Sequence, residues 1–390
     1  MIDCLGLEVT GSKEESLAAI NDCIKRDLNY GDTSYTTFQT LIDNDPECPT
    51  LKILYIYLMI LQEADNKEIA NTLLPQIQNC NSRERLWIRS LLTLLNEGVC
   101  AAIPILSQIV DENPKDFFAA KFGIFMCLCT GRKPEMLNIV SYLQRESDHW
   151  QSAECCSFIC FGYLENNLLI ESENYGRRAL ELNPHNAWAQ HNIGHIYAAK
   201  NEFENGIRVL EGHSEDWKGN FIYTHNWWHL AIFNVFLRNF GAAEEIFRTH
   251  VLGRNWWASV NVINSLAMLL YLDFFGRDVV GYLTPEFLEI LRSKKILGAK
   301  RGLVCAMVIW ALYKAGLHSE AIEIKDSQQG VIKKAAEVLL NLASGNKAEA
   351  RRIATEEIPN IQLLGGSIEQ NQALTDCLSM TRTEIFYSEG

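Results

Sequence analysis

Residues 179–210 read ALELNPHNAWAQHNIGHIYAAKNEFENGIRVL. An apolar run closes on Asn183-Pro184, and a new amphipathic run opens at Ala187. Gly194, Tyr197 and Gly206 then fall where two antiparallel helices must approach closely, and Ile207, Val209 and Leu210 continue the apolar stripe at helical spacing. The preceding unit runs from about Ala153 to Pro184, with Ala179 at the small position of its second helix. A small residue, a helix stop and a fresh start every ~34 residues describe a tetratricopeptide-type helix pair.

The pattern extends both ways. Pro46, Pro114 and Pro184 each end an amphipathic run and stand about two 34-residue periods apart. Hairpin signals of the β kind are nearly absent. Thr284-Pro285-Glu286 reads as a helix start, with Thr as cap and Pro in the first turn, and Ser344-Gly345-Asn346 reads as a turn between helices. The fold class is therefore all-α: a tetratricopeptide-like α-solenoid, one continuous superhelix of antiparallel helix pairs over 1–390. Residues 153–250 carry the best-defined repeats, and 280–390 form a more divergent helical part.

Composition narrows the function. At 390 residues and 48% hydrophobic, apolar material is ample. A formal charge of −13, without a Lys/Arg block, gives no footprint for nucleic acid or anionic membrane. The apolar runs Ile53 to Leu61 and Leu303 to Tyr313 are too short to span a bilayer. Twelve cysteines without CxxC spacing suit a reducing compartment, and no basic-then-apolar leader opens the sequence, so a cytoplasmic location is expected. The chain lacks GxxxxGK[ST] and GxSxG, which argues against nucleotide binding and a serine nucleophile. Gly365-Gly366-Ser367 reads as a tight turn that lets the last helix return to the stack. Cys155 and Cys156, upstream of the histidines, raise a Cys/His nucleophile, but Phe158 and Ile159 complete an apolar stretch that favours burial.

The chemistry-bearing feature is histidine. His191 and His195 are one helical turn apart, and so are His225 and His229 in HNWWH. The second pair follows the first by one repeat length of ~34 residues. Equivalent positions on neighbouring first helices face the same side of a solenoid, so all four imidazoles are expected to converge on its concave surface. Three readings stand: a groove lining or interhelical hydrogen bonds, general acid–base catalysis without metal, and a divalent metal site with His191, His195, His225 and His229 as ligands. The HExxH glutamate is missing, so that protease class does not apply. Trp188, Trp217, Tyr223, Trp227, Trp228, Trp256 and Trp257 crowd the region. Adjacent Trp227 and Trp228 diverge by about 100° on a helix. One is expected in the core, the other as a pocket wall. Trp188, Trp227, Trp228, Asn226 and Asn264 are the candidate ligand-binding residues.

The segments NPHNAWAQHNIGH at 183–195, Asp216-Trp217, HNWWH and QLLGGSIEQ at 362–370 together resemble the family of tetratricopeptide repeat protein thirty-eight and its bacterial relatives, over most of the chain. The resemblance implies a tetratricopeptide-like superhelix and supplies no known reaction. It also implies a departure: where relatives tend to carry acidic residues or histidine, this chain has Arg248, Asn264, Val304, Ala306 and Gln372. The expected function is a binding protein holding a peptide or small organic ligand in a His/Trp-lined pocket. The alternative is an enzyme using the same pocket.

Overall fold

The computed structural model describes the chain except residues 32, 65, 147, 255–257, 294, 295, 297–301, 359–367 and 384–390. Among the described residues the protein is all-helical. Two isolated antiparallel bridges, Ile2 to Glu8 and Gly31 to Asn220, are its β pairing. No described helix is long and apolar enough to cross a membrane. Contacts divide the chain into two compact units, Met1–Asn226 and Trp227–Gly390.

The first unit holds α1 (Glu14–Leu28), α2 (Thr36–Asn44), α3 (Pro49–Leu61), α4 (Lys67–Leu73), α5 (Ser82–Asn96), α6 (Val99–Glu112), α7 (Phe117–Thr130), α8 (Lys133–Leu143), α9 (Ala153–Glu165), α10 (Leu169–Leu182), α11 (Ala187–Ala199) and α12 (Phe203–Gly212). From α5 to α12 each helix packs on the next, and α9 also packs on α7 and α11. Local signals start these helices. Asn81 and Glu84 form a reciprocal capping box at α5, and the side chains of Asp116, Ser152 and Asn186 accept first-turn N–H groups of α7, α9 and α11.

Close approach then sets the packing. A methyl group on Gly194 would sit 3.2 Å from Leu210 Cδ1, so the position that looks small in the sequence is where α12 leans on α11. Ala179 is fully buried in a patch with Cys156 and Ala189, as its repeat position predicts. Farther back, Tyr57, Trp87, Phe118 and Phe122 form an aromatic knot with centroids 4.4–6.1 Å apart.

The helix α13 (Tyr223–Phe236) runs through the boundary. The second unit continues with α14 (Phe240–Ile246), α15 (Ser259–Phe274), α16 (Pro285–Arg292), α17 (Gly302–Lys314), α18 (His318–Ser327), α19 (Gly330–Ala343), α20 (Lys347–Arg352) and α21 (Ile368–Thr383). Thr284 caps α16 through the Phe287 N–H at 3.3 Å, with Pro285 in the first turn, and Ser344–Asn346 turns α19 into α20, both as the sequence indicates. The last helix does return: α21 packs on α15, and Tyr271 donates to Asp376 at 2.5 Å. Gly365-Gly366-Ser367, the turn expected to allow this, lies outside the described residues.

One periodic device was invisible in the sequence. A residue in the left-handed region recurs at 63, 98, 131, 167, 201, 238, 276, 316 and 345, at the end of the first helix of successive pairs. Glycine serves at five of these, but Glu63, Asn167, Asn201 and Arg238 do the same with side chains attached.

Candidate functional site

The imidazoles are carried by α11 and α13, and one helix start fixes the first pair. Asn186 accepts the Trp188 and Ala189 N–H groups at 3.1 and 2.9 Å, which opens α11 and puts Trp188, His191 and His195 on successive turns of one face. Trp188 stacks on His191 with centroids 4.4 Å apart and planes 19° apart. His195 meets His191 edge-on, and their Nε2 atoms are 2.9 Å apart. The His225 ring centre is 5.0 Å from that of His191. His229 follows one turn along α13. Each of the four offers a ring nitrogen, and these nitrogens all lie within 4.8 Å of one another. The convergence expected from the repeat spacing is present. Its setting differs from an open concave surface: His191, His225 and His229 are buried, at 1%, 9% and 4% exposure, and His195 is half-buried.

The orientation of His191 follows from its neighbour. Asn192 donates from Nδ2 to the Ser157 carbonyl at 2.8 Å, so its Oδ1 is the atom facing His191 Nδ1 at 3.2 Å. An oxygen there accepts, so Nδ1 is the donor in that contact and Nε2 is the nitrogen turned to His195.

A strap from the N-terminal end adjoins this site within the first unit. Tyr30, in a left-handed conformation at φ +56°, stacks on the far side chain of the series, Trp188, at 4.5 Å. Its carbonyl accepts the Phe221 N–H at 2.7 Å, and Asn220 Nδ2 donates to the Asn29 carbonyl at 2.9 Å, just before α13 begins. Lys121 Nζ lies 4.0 Å from the Tyr30 ring centre and pairs with Asp27 at 2.9 Å. Burial lowers the Lys121 pKa from the usual lysine range, with Asp27 working against it.

A second polar knot holds the loop after α12. Asp216 takes His185 Nδ1 at 2.7 Å, His213 Nδ1 at 3.4 Å and Gln190 Nε2 at 2.8 Å, while buried Trp217 donates to Gln190 Oε1 at 2.8 Å. Burial pushes the Asp216 carboxyl up, but the hydrogen bonds from His185, Gln190 and His213 outweigh it and hold the pKa below the usual value. The Asp216-Trp217 pair, singled out in the sequence, thus latches a loop to the helix that bears His191.

The other candidates divide. Asn226 is buried beside His225, with Nδ2 3.4 Å from the Ala187 carbonyl. Trp228 is the core member of the tryptophan pair, in the apolar core of the second unit, and Trp227 stacks on His250 at 3.7 Å. Asn264 is buried on α15. Cys155 and Cys156 are buried, and burial pushes the Cys156 thiol up to about 12, so neither is a thiolate at neutral pH.

Of the positions where the resemblance implies lost polar groups, Val304 and Ala306 lie in an apolar core, and Arg248 is exposed and paired with Glu245. The Gln372 side chain, Trp256, Trp257 and most of the 362–370 motif lie outside the described residues. Asn192, Gln190 and Tyr30 are the site residues that sequence reading missed. Only the fixed neighbourhood of Asn192 to a spaced histidine hinted at one of them. No model of a known protein family matches the chain.

Proposed function

We propose that this protein is a cytoplasmic α-solenoid of the tetratricopeptide repeat protein thirty-eight kind that binds a small organic molecule at the imidazole cluster of α11 and α13. The observation that carries the reading is convergence with burial: four ring nitrogens within 4.8 Å, three of their residues almost closed to solvent. Peptide grooves present rings along an exposed surface, whereas small-molecule sites are enclosed and carry a few fixed polar groups. Two further atoms suit an enclosed polar ligand. Trp188 Nε1, a donor, and Asn226 Oδ1, an acceptor, are buried without a hydrogen-bond partner among the described residues.

Sequential helix packing and the recurrent left-handed turns support the solenoid. Twelve cysteines without CxxC spacing support the cytoplasm, and the acidic balance supports a life away from nucleic acid and membrane surfaces.

A catalytic reading has its own observation, the 2.9 Å hydrogen bond between His195 and His191. Two imidazoles in direct hydrogen-bond contact are a pair through which a proton passes between a bound molecule and the second ring.

Native mass spectrometry of protein taken from its own source tests the binding. The expected spectrum shows the chain plus one small mass, diminished in His195→Ala and Trp188→Ala variants that keep wild-type helicity. A bare chain, with no melting shift across a panel of small carboxylic acids, amines and alcohols, overturns the reading.

A further inference from the structure

We infer that the imidazole cluster is the binding site of one late first-row divalent metal ion, with His191, His195 and His225 as ligands and His229, a turn farther along α13, as the fourth. The inference rests on the reading of the cluster as the binding centre and adds to it an ion beside which the organic molecule is held. Its basis is the geometry of donors. Tetrahedral nitrogen ligands at about 2.0–2.1 Å from zinc stand about 3.3 Å from each other. The four nitrogens bracket that spacing, from the 2.9 Å His191–His195 contact to an upper separation of 4.8 Å.

The surroundings of His191 point the same way. A metal-bound imidazole turns its other ring nitrogen to a fixed hydrogen-bond acceptor, which orients the ring. His191 has this arrangement already: Nδ1 faces Asn192 Oδ1 at 3.2 Å, Asn192 is tied in turn to the Ser157 carbonyl, and Nε2 is on the side of the cluster. Trp188 stacking fixes the remaining rotation of the ring.

The donor set also selects the ion. All-imidazole coordination suits zinc, copper, nickel and iron, and gives nothing to magnesium or calcium, which require oxygen. The alternative is a cluster that only joins α11 to α13 by hydrogen bonds, and counting bound metal separates the two.

The test uses the full chain, stripped with a chelator and loaded with Zn²⁺, with bound metal counted by elemental mass spectrometry. Co²⁺ loaded in parallel reports geometry through its visible bands. The expected result is one ion per chain, a raised melting temperature and Co²⁺ bands of a four-coordinate site. His195→Gln, at the half-buried position, should weaken zinc by about 100-fold or more, and Asn192→Ala, an orienting change, by about 10–100-fold. His185→Gln and His213→Gln, on histidines outside the cluster, should leave binding unchanged.

No stoichiometric ion in the wild type overturns the proposal, as does an ion that survives both His195→Gln and His225→Gln or leaves in His185→Gln. The two readings fail separately. A small organic mass on metal-free protein sinks the metal and spares the binding reading. Zinc bound at the histidines with no organic mass does the reverse.

Discussion

The helices α11 and α17 are each 13 residues long and each enclosed on most sides, yet they spend their burial differently. In α17 the run Val304 to Leu312 is buried throughout, and its one side-chain nitrogen, Trp310 Nε1, donates to Asp273 at 3.0 Å. In α11 the buried residues include Gln190, His191 and Asn192 in sequence. A buried polar group without a partner costs about 1–3 kcal/mol, so three together persist only when partnered. Each of the three is: Gln190 with Pro184, Asp216 and Trp217, His191 with His195, and Asn192 with Ser157. The contrast teaches where this chain keeps its chemistry. At Val304 and Ala306, where the family resemblance implies polar groups, the second unit has apolar core, whereas α11 of the first unit concentrates buried polar side chains.

The largest expected effect breaks that contrast by moving an α11 residue type into α17. Ala306 is fully buried, and Ala306→Asn adds volume to a packed core together with an amide that lacks a partner there. Overpacking and an unsatisfied polar group each cost about 1–3 kcal/mol. The variant should therefore lose about 2–6 kcal/mol, with hydrogen exchange rising first across 302–314. Wild-type stability would mean that α17 tolerates polarity and that its apolar run says nothing about function.

A middle-sized effect sharpens the other side. Gln190→Ala deprives Trp217 Nε1 of its acceptor and Asp216 of one donor, both on the loop after α12. The expected loss is about 1–3 kcal/mol in urea unfolding. Zinc binding should hold within a few-fold, because Gln190 points away from the imidazoles toward that loop. A variant that keeps its stability but loses the metal would show that the latch serves the site, and the division between scaffold and centre would have to be redrawn.

Much of this was legible in residue order, for reasons that differ by element. The α9–α12 repeat, the Thr284 cap and the Ser344–Asn346 turn announce themselves because their residue types are selected by backbone geometry. The meeting of the histidines was legible because equal spacing on equivalent helices is a geometric statement. Burial of the cluster was not, since no local pattern tells a concave surface from a closed one.

The turn residues Glu63, Asn167, Asn201 and Arg238 hid because any residue type serves at a modest steric cost when packing on both sides insists. Tyr30 hid for the opposite reason: its partners Trp188 and Phe221 are far away in sequence, and only tertiary structure brings them to it.

The smallest effect concerns pH and the latch itself. The Asp216 carboxyl is held below its usual 3.8 by His185, Gln190 and His213 against the push of burial. A depressed carboxyl pKa means that the unfolded chain binds more protons in the window between the two values. The stabilisation is therefore complete above about pH 3.8 and is lost as pH falls through the folded value. His185 is 75% exposed, so solvent screens the pairing and the contribution stays below about 1 kcal/mol. Asp216→Asn should then cost a few tenths of a kcal/mol to about 1 kcal/mol at pH 6. That difference should shrink toward zero below pH 3.8, read from paired urea curves at each pH. A penalty that stays constant on acidification would mean that the latch works through shape and hydrogen-bond count alone, with the carboxylate charge contributing nothing.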